Sequence, residues 1–170
     1  VDGEVDDDVG GELRPVGGST AALTARVLHP GKGAGRTLSI PPVSFWGGID
    51  GEGRIVDVHH PACGESIVGR ALVLSTSKGS SSGSSVLAEL IVNGRGPALL
   101  VVSEPDAVLV SGCLAAAEIS GIRLPVVQVT AEDLERGGGS DLLAVDCVRT
   151  EIGALGELHE MSSPHESIVC

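Results

Sequence analysis

The sequence predicts an α/β domain in which a parallel α/β layer packs on a second β layer. Three observations carry that reading. From residue 70 onward, apolar runs of strand length alternate with helical patterns, the signature of parallel strands joined by right-handed crossovers. Two strand-like runs precede that alternation and have no helix between them, so they belong to an antiparallel or barrel-like layer. Apolar residues make up 42% of the 170 positions, enough for one core, while aromatics make up only 1%, so that core must be built from Val, Leu, Ile and Ala.

Taken in order, residues 1–20 are rich in Gly and Asp without apolar periodicity and read as a disordered acidic tail. Ala21–Leu28 reads as a strand closed by the turn His29-Pro30-Gly31-Lys32-Gly33, and about Gly35–Ile40 as a second strand stopped by Pro41 and Pro42. A long irregular stretch runs from Val43 to Gly69. A loop of that length inside a domain is usually functional. Arg70–Leu74 is a buried-strand run, followed by a Gly/Ser loop, Lys78 to Ser85. Val86–Asn93 is helical, with Val86, Leu87, Leu90 and Ile91 on one face and Gly94 as its stop. Pro97–Val102 is the next strand, and Pro105-Asp106 opens a helix through about Ile119, with Gly121 just past it. Leu124–Val129 and Asp141–Val148 complete the strands. The domain is expected over 21–150, with 151–170 a weakly ordered C-terminal tail.

The formal charge of −12 is unevenly placed. Residues 1–12 hold six carboxylates and no base, and 151–170 hold four more without Lys or Arg, whereas 13–150 carry 13 acidic and 11 basic residues. Such a body offers no basic patch to displace counterions from phosphates and almost no aromatic surface to stack bases, which excludes a nucleic-acid partner. Ala107–Ile119, the longest mostly apolar stretch, is interrupted by Ser111, Gly112 and Glu118 and is shorter than the about 20 residues a membrane span needs. The acidic start matches no secretory signal, so the chain reads as cytoplasmic. Cys63, Cys113, Cys147 and Cys170 show neither C-x-x-C nor zinc-finger spacing and read as free thiols, with Cys113 and Cys147 in apolar runs as packing residues.

Two segments carry candidate chemistry. The Gly/Ser loop joins a buried strand to a helix, and a helix N-terminus, with an effective charge of roughly +0.5, favours a carboxylate or phosphate. A flexible capped loop is the plainer reading of the same residues. The loop is not a Walker A motif, because Lys78 precedes the Gly/Ser run, and Gly31-Lys32-Gly33-Ala34-Gly35 does not complete a dinucleotide fingerprint. In Asp57-Val58-His59-His60-Pro61-Ala62-Cys63-Gly64-Glu65 the ligand spacing fits no common metal site, and the segment reads as a polar loop rim.

Ser44-Phe45-Trp46-Gly47-Gly48-Ile49-Asp50 is followed closely by Gly53-Arg54-Ile55-Val56-Asp57, His59-His60-Pro61, Gly64-Glu65-Ser66-Ile67 and Gly69-Arg70. Then come Lys78-Gly79-Ser80, Gly94 to Pro97, Glu104-Pro105-Asp106 and Leu124-Pro125-Val126-Val127. This series, within about Ala21–Val148, resembles the small subunit or swivel domain of the aconitase X family of hydro-lyases. The resemblance implies a swivelling β/β/α domain that closes over a larger catalytic subunit or domain. That larger part would hold an iron–sulfur cluster; no metal or cofactor ligand is expected in this chain. The partner would be a second chain or, since the sequence begins with Val, the rest of a longer one. The implied proton acceptor is Ser80. Lys78, Gly79, Ser81 and His60 are candidate substrate-binding residues, His60 at even weight with a structural loop role. Asp50, Gly47 and Gly48 would shape the interface.

The Phe-Trp-Gly-Gly and His-His-Pro variants look closer to cis-3-hydroxy-L-proline dehydratases than to the mevalonate 5-phosphate dehydratase small subunits that form the alternative. Thr76-Ser77 stand where the family often has Arg-Gly. That departure keeps a further reading in play, a binding or regulatory swivel module that has lost catalysis. A third class is a stand-alone domain that binds carboxylate or phosphate through the same loop.

Overall fold

The computed structural model describes residues 21–148 and 151–161. The expected acidic tail, 1–20, and the last nine positions lie outside the described residues. Strands β1 (Ala21–His29) and β2 (Lys32–Ser39) come first. A short broken turn, α1 (Phe45–Gly48), sits in the long loop that follows. Then come β3 (Ala71–Leu74), α2 (Ser82–Val92), β4 (Leu99–Val102), α3 (Ala107–Ser120) and β5 (Val126–Gln128). The chain continues through α4 (Ala131–Gly138), β6 (Leu142–Asp146) and β7 (Leu155–Met161).

Among the described residues, the seven strands belong to one sheet closed into a barrel, in the order β1-β5-β4-β3-β2-β6-β7. Strands β2 to β5 form its parallel half, with Leu72 opposite Leu38 and Leu100. Strands β6 and β7 pair antiparallel, β6 also pairs antiparallel with β2, and β1 with β5 and β7. The second β layer is therefore the far wall of the same barrel, not a separate sheet.

The central strands β3 and β4 are apolar at every position because both faces are covered. Ala71, Val73, Leu99, Val101 and Val127 point into the barrel, where they meet Leu23, Ala25, Val27, Leu143, Val145 and Leu158. Leu72, Leu74, Leu100, Val102 and Val126 point outward, against Leu87, Leu90 and Ile91 of α2 and Leu109, Cys113 and Ala116 of α3. Burying one such Leu is worth roughly 1.5–3 kcal/mol. The two helices approach closely because Gly112 lies at their crossing, where a Cβ would stand 2.8 Å from Ser84 O.

Residues 151–161, expected from the sequence to belong to a weakly ordered tail over 151–170, carry a strand in the structure. β7 fills the gap between β1 and β6, and its Leu158 is fully buried. The pattern was hard to see because only Leu158 is buried in the strand, whose remaining residues are exposed or half-buried. The helix α4 was likewise unassigned; Thr130 caps it by accepting from Asp133 N–H at 3.1 Å. Replacing Leu158 by Ala is expected to lower unfolding stability by about 2–5 kcal/mol in urea denaturation. An unchanged midpoint would mean that 155–161 does not close the barrel.

Candidate functional site

Because β3, β4 and β5 run parallel, their carboxyl ends lie at one rim of the barrel. Backbone bonds gather them: the N–H groups of Ser103 and Glu104 both donate to Ser75 O, at 3.2 and 3.0 Å, and Gln128 Nε2 donates to Ser103 O at 3.1 Å. The segment Ser75–Ser81 leaves β3 at this rim and leads into α2. Helix α2 starts at Ser82, earlier than the expected Val86, so Ser82 to Ser85 form its first turn rather than part of a free loop. Gly83 is buried in that turn, where a Cβ would come into ordinary contact with Val108, Phe45 and the Trp46 backbone.

The segment is held on two sides. On one side, Lys78 N–H donates to Val43 O at 2.9 Å, and Gly79 lies against Ser44. Gly79 has φ +104°, and a Cβ there would come 2.8 Å from Ser44 Oγ, so only glycine fits without displacement. On the other side stands Asp106, the N-cap of α3. Its carboxylate accepts from Leu109 N–H at 3.0 Å, from Ser77 N–H at 2.6 Å and from the Thr76 hydroxyl at 2.9 Å. Burial works to raise its pKa, but these donors outweigh burial and hold the carboxyl below its usual range.

Lys78, Gly79, Ser80 and Ser81 are all exposed and contiguous at the N-terminus of α2. The Ser80 carbonyl accepts from Gly83 N–H at 3.0 Å, and the Ser81 carbonyl from Ser84 N–H and from Ser84 Oγ. No side chain caps α2 at Ser81, so the positive end of the helix is open toward the solvent beside Ser80. Beside the loop, a groove of about 310 Å³ runs between Trp46, Gly47 and Gly51 on one wall and Val86, Glu89 and Leu90 on the other.

His60 is buried in the long loop, with hydrogen-bond partners on both sides of its ring. Its Nδ1 accepts from Ala62 N–H at 3.1 Å, which leaves Nε2 to donate to Pro41 O at 3.1 Å, so both ring nitrogens are engaged in holding the loop. Asp50 is a local organiser as well, accepting from the N–H groups of Glu52 and Arg54, each at 2.9 Å. The residue that sequence reasoning passed over is Asp106. Pro105-Asp106 signalled a helix start, but nothing in the local pattern announced a bond to residues about thirty positions earlier.

The described cysteines do not suit an iron–sulfur centre. Cys63 is exposed in the long loop. Cys113 lies in the helix-side core, where burial pushes its thiol up to about 12, and Cys147 lies in the barrel core and donates to Gly31 O at 3.3 Å. Among the described residues no group of His, Cys, Asp and Glu converges as a metal site, and no helix is long and apolar enough to cross a membrane.

A closed barrel with two helices on its parallel wall and a serine-bearing loop at the strand ends defines a β/β/α domain of the swivel type. The family model "Aconitase X swivel domain" matches residues 22–152, and the chain belongs to that family. It is 42% identical over 106 residues to a cis-3-hydroxy-L-proline dehydratase of Pseudomonas aeruginosa, a match covering 61% of this chain and only 18% of that protein. It is 37% identical over 114 residues to the phosphomevalonate dehydratase small subunit of Methanothermobacter thermautotrophicus, covering 66% of this chain and 82% of that subunit. In structure it resembles the holo-form of Thermococcus kodakaraensis aconitase X, with TM-score 0.66 and 30% identity over 84% of this chain and 99% of that one.

Gly79→Ala is expected to cost about 1–3 kcal/mol of stability through the left-handed backbone and the Ser44 contact. Pairing it with Ser44→Gly should recover only the steric part. Equal denaturation midpoints for Gly79→Ala and the parent chain would contradict the loop geometry.

Proposed function

We propose that this chain is the swivel part of a dehydratase, closing over a larger catalytic subunit or domain and delivering Ser80 as the proton acceptor. The observation that carries this is the exposed Lys78-Gly79-Ser80 loop at the open N-terminus of α2, in a chain of this family. The substrate we favour is cis-3-hydroxy-L-proline, supported by the relative from Pseudomonas aeruginosa. In that reaction the proton on the carbon beside the carboxylate is removed to Ser80, and the hydroxyl leaves from the neighbouring carbon.

A serine hydroxyl is a poor base, so the site must stabilise its deprotonated form. The α2 N-terminus contributes positive potential of roughly half a charge. The Lys78 ammonium, which pairs with no carboxylate among the described residues, adds a full one. Both act weakly in water and strongly once solvent is excluded, and Ser80 is exposed in this chain. Gly79 and Ser81 present backbone and hydroxyl groups for the substrate carboxylate. Among the described residues the cysteines do not converge; on this reading the larger part would hold the iron–sulfur cluster implied by the family resemblance and would handle the departing hydroxyl.

A second reading keeps the fold and site but takes mevalonate 5-phosphate as substrate. It is supported by the small subunit from Methanothermobacter thermautotrophicus, most of whose length this chain matches.

The test is an anaerobic dehydratase assay of the chain co-produced with its larger partner, on both substrates. The isolated chain is expected to be inactive, and Ser80→Ala to reduce turnover of the complex by about 10²–10⁴-fold. Full turnover in Ser80→Ala would move the base elsewhere. A stable complex that is inactive on both substrates would instead favour a swivel module without catalysis.

A further inference from the structure

We propose that Asp106 is the positioning residue of the Ser80 loop, a role that rests on Ser80 being the proton acceptor. Its two carboxylate oxygens hold different parts of the molecule. Oδ1 accepts from Leu109 N–H at 3.0 Å and caps α3. Oδ2 accepts from Ser77 N–H at 2.6 Å and from Thr76 Oγ1 at 2.9 Å, and so reaches back to the segment that leaves β3. An N-cap needs only one oxygen. The second ties the start of α3 to the approach of the catalytic loop.

The tie is strong for its size. Hydrogen bonds to an ionised carboxylate are roughly twice as strong as neutral ones. Asp106 is only 6% exposed, and among the described residues no cationic side chain pairs with it, so hydrogen bonds from Leu109, Thr76 and Ser77, the last through both its N–H and its side chain, keep the buried charge satisfied. Ser77 is pinned by Asp106, and the next residue, Lys78, is pinned on the opposite side by Val43 O. Two consecutive peptide groups are thus fixed from two directions immediately before Gly79 and Ser80. Release of the Oδ2 contacts leaves α3 capped while the path to Ser80 loses one of its two anchors. A displacement of about 1 Å at a reacting group costs on the order of a hundredfold in rate.

The two oxygens can be separated experimentally in the full chain, alone and co-produced with its larger partner. Asp106→Asn retains one oxygen for Leu109 N–H and turns an amide NH₂ toward the Ser77 and Thr76 donors. Thr76→Val removes one donor without touching Asp106, and Thr76→Ser restores the hydroxyl. In the active complex, Asp106→Asn is expected to lower kcat about a hundredfold with KM unchanged. Thr76→Val should lower kcat less, and Thr76→Ser should match the parent.

Hydrogen exchange on the full chain supplies a readout that does not need activity. In Asp106→Asn the amides of 76–80 should exchange faster while those of α3 keep their protection. Unchanged kcat in Asp106→Asn, unchanged exchange at 76–80, or equal loss of protection in the loop and in α3 would each overturn the proposal. If the parent complex turns over neither substrate, the reading of Ser80 fails. The exchange pattern then decides separately whether Asp106 positions the loop.

Discussion

The structure depends on covering the parallel strands β3, β4 and β5 on both faces. A strand such as Ala71–Leu74 or Leu99–Val102 has no polar side to turn to solvent. One set of alternating residues must face the antiparallel wall of β1, β6 and β7, and the other must face α2 and α3. Covering both faces of a parallel set with short crossovers leaves the carboxyl ends of the strands at one rim. Loops at such ends are free of the sheet yet anchored by it, which is why open α/β architectures bind ligands there. The Ser75–Ser81 segment is such a loop, and its anchors are the backbone bonds to Ser75 O, the Val43 contact and the Asp106 carboxylate.

Much of this was legible in the sequence, for identifiable reasons. The runs at 71–74 and 99–102 are apolar at every position, Gly121 caps α3 directly and Gly94 follows the Asn93 cap of α2, with φ of +76° and +69°. The Lys-Gly-Ser loop was found both as a strand-to-helix junction and as a family motif. What escaped notice was non-local. β7 owes its place to pairing with β1 and β6, since the burial of Leu158 alone makes no periodic signal. β2, expected from about Gly35, begins earlier, at Lys32, and buries only Gly35, whose missing side chain admits the backbone of Gly69 and Ala71. Helix α2 starts four residues before the expected Val86; Ser and Gly are weak helix formers whose sequence does not announce a first turn, and the buried Gly83 lies in that turn. For His60 the sequence left a substrate contact and a structural loop role at even weight, and only the positions of Pro41 O and Ala62 N–H show that its ring also has a structural task.

On the proposed reading, this loop is half of a catalytic site. It offers a serine, a lysine and a helix N-terminus on an exposed rim, with no metal-binding cluster among the described residues and with Ser80 open to water. Groups of that kind acquire catalytic strength when a second surface excludes solvent and fixes the substrate. The match to only 18% of a hydroxyproline dehydratase fits a domain whose chemistry is completed by a much larger neighbour.

The most direct test of that account is hydrogen exchange across residues 75–86, compared for the chain alone, with its larger partner, and with partner and substrate together. The account predicts that the Lys78–Ser81 amides gain protection when the partner binds and gain more when substrate is added, while the barrel strands change little. Protection confined to another face of the barrel, with 78–81 exchanging as in the isolated chain, would contradict it.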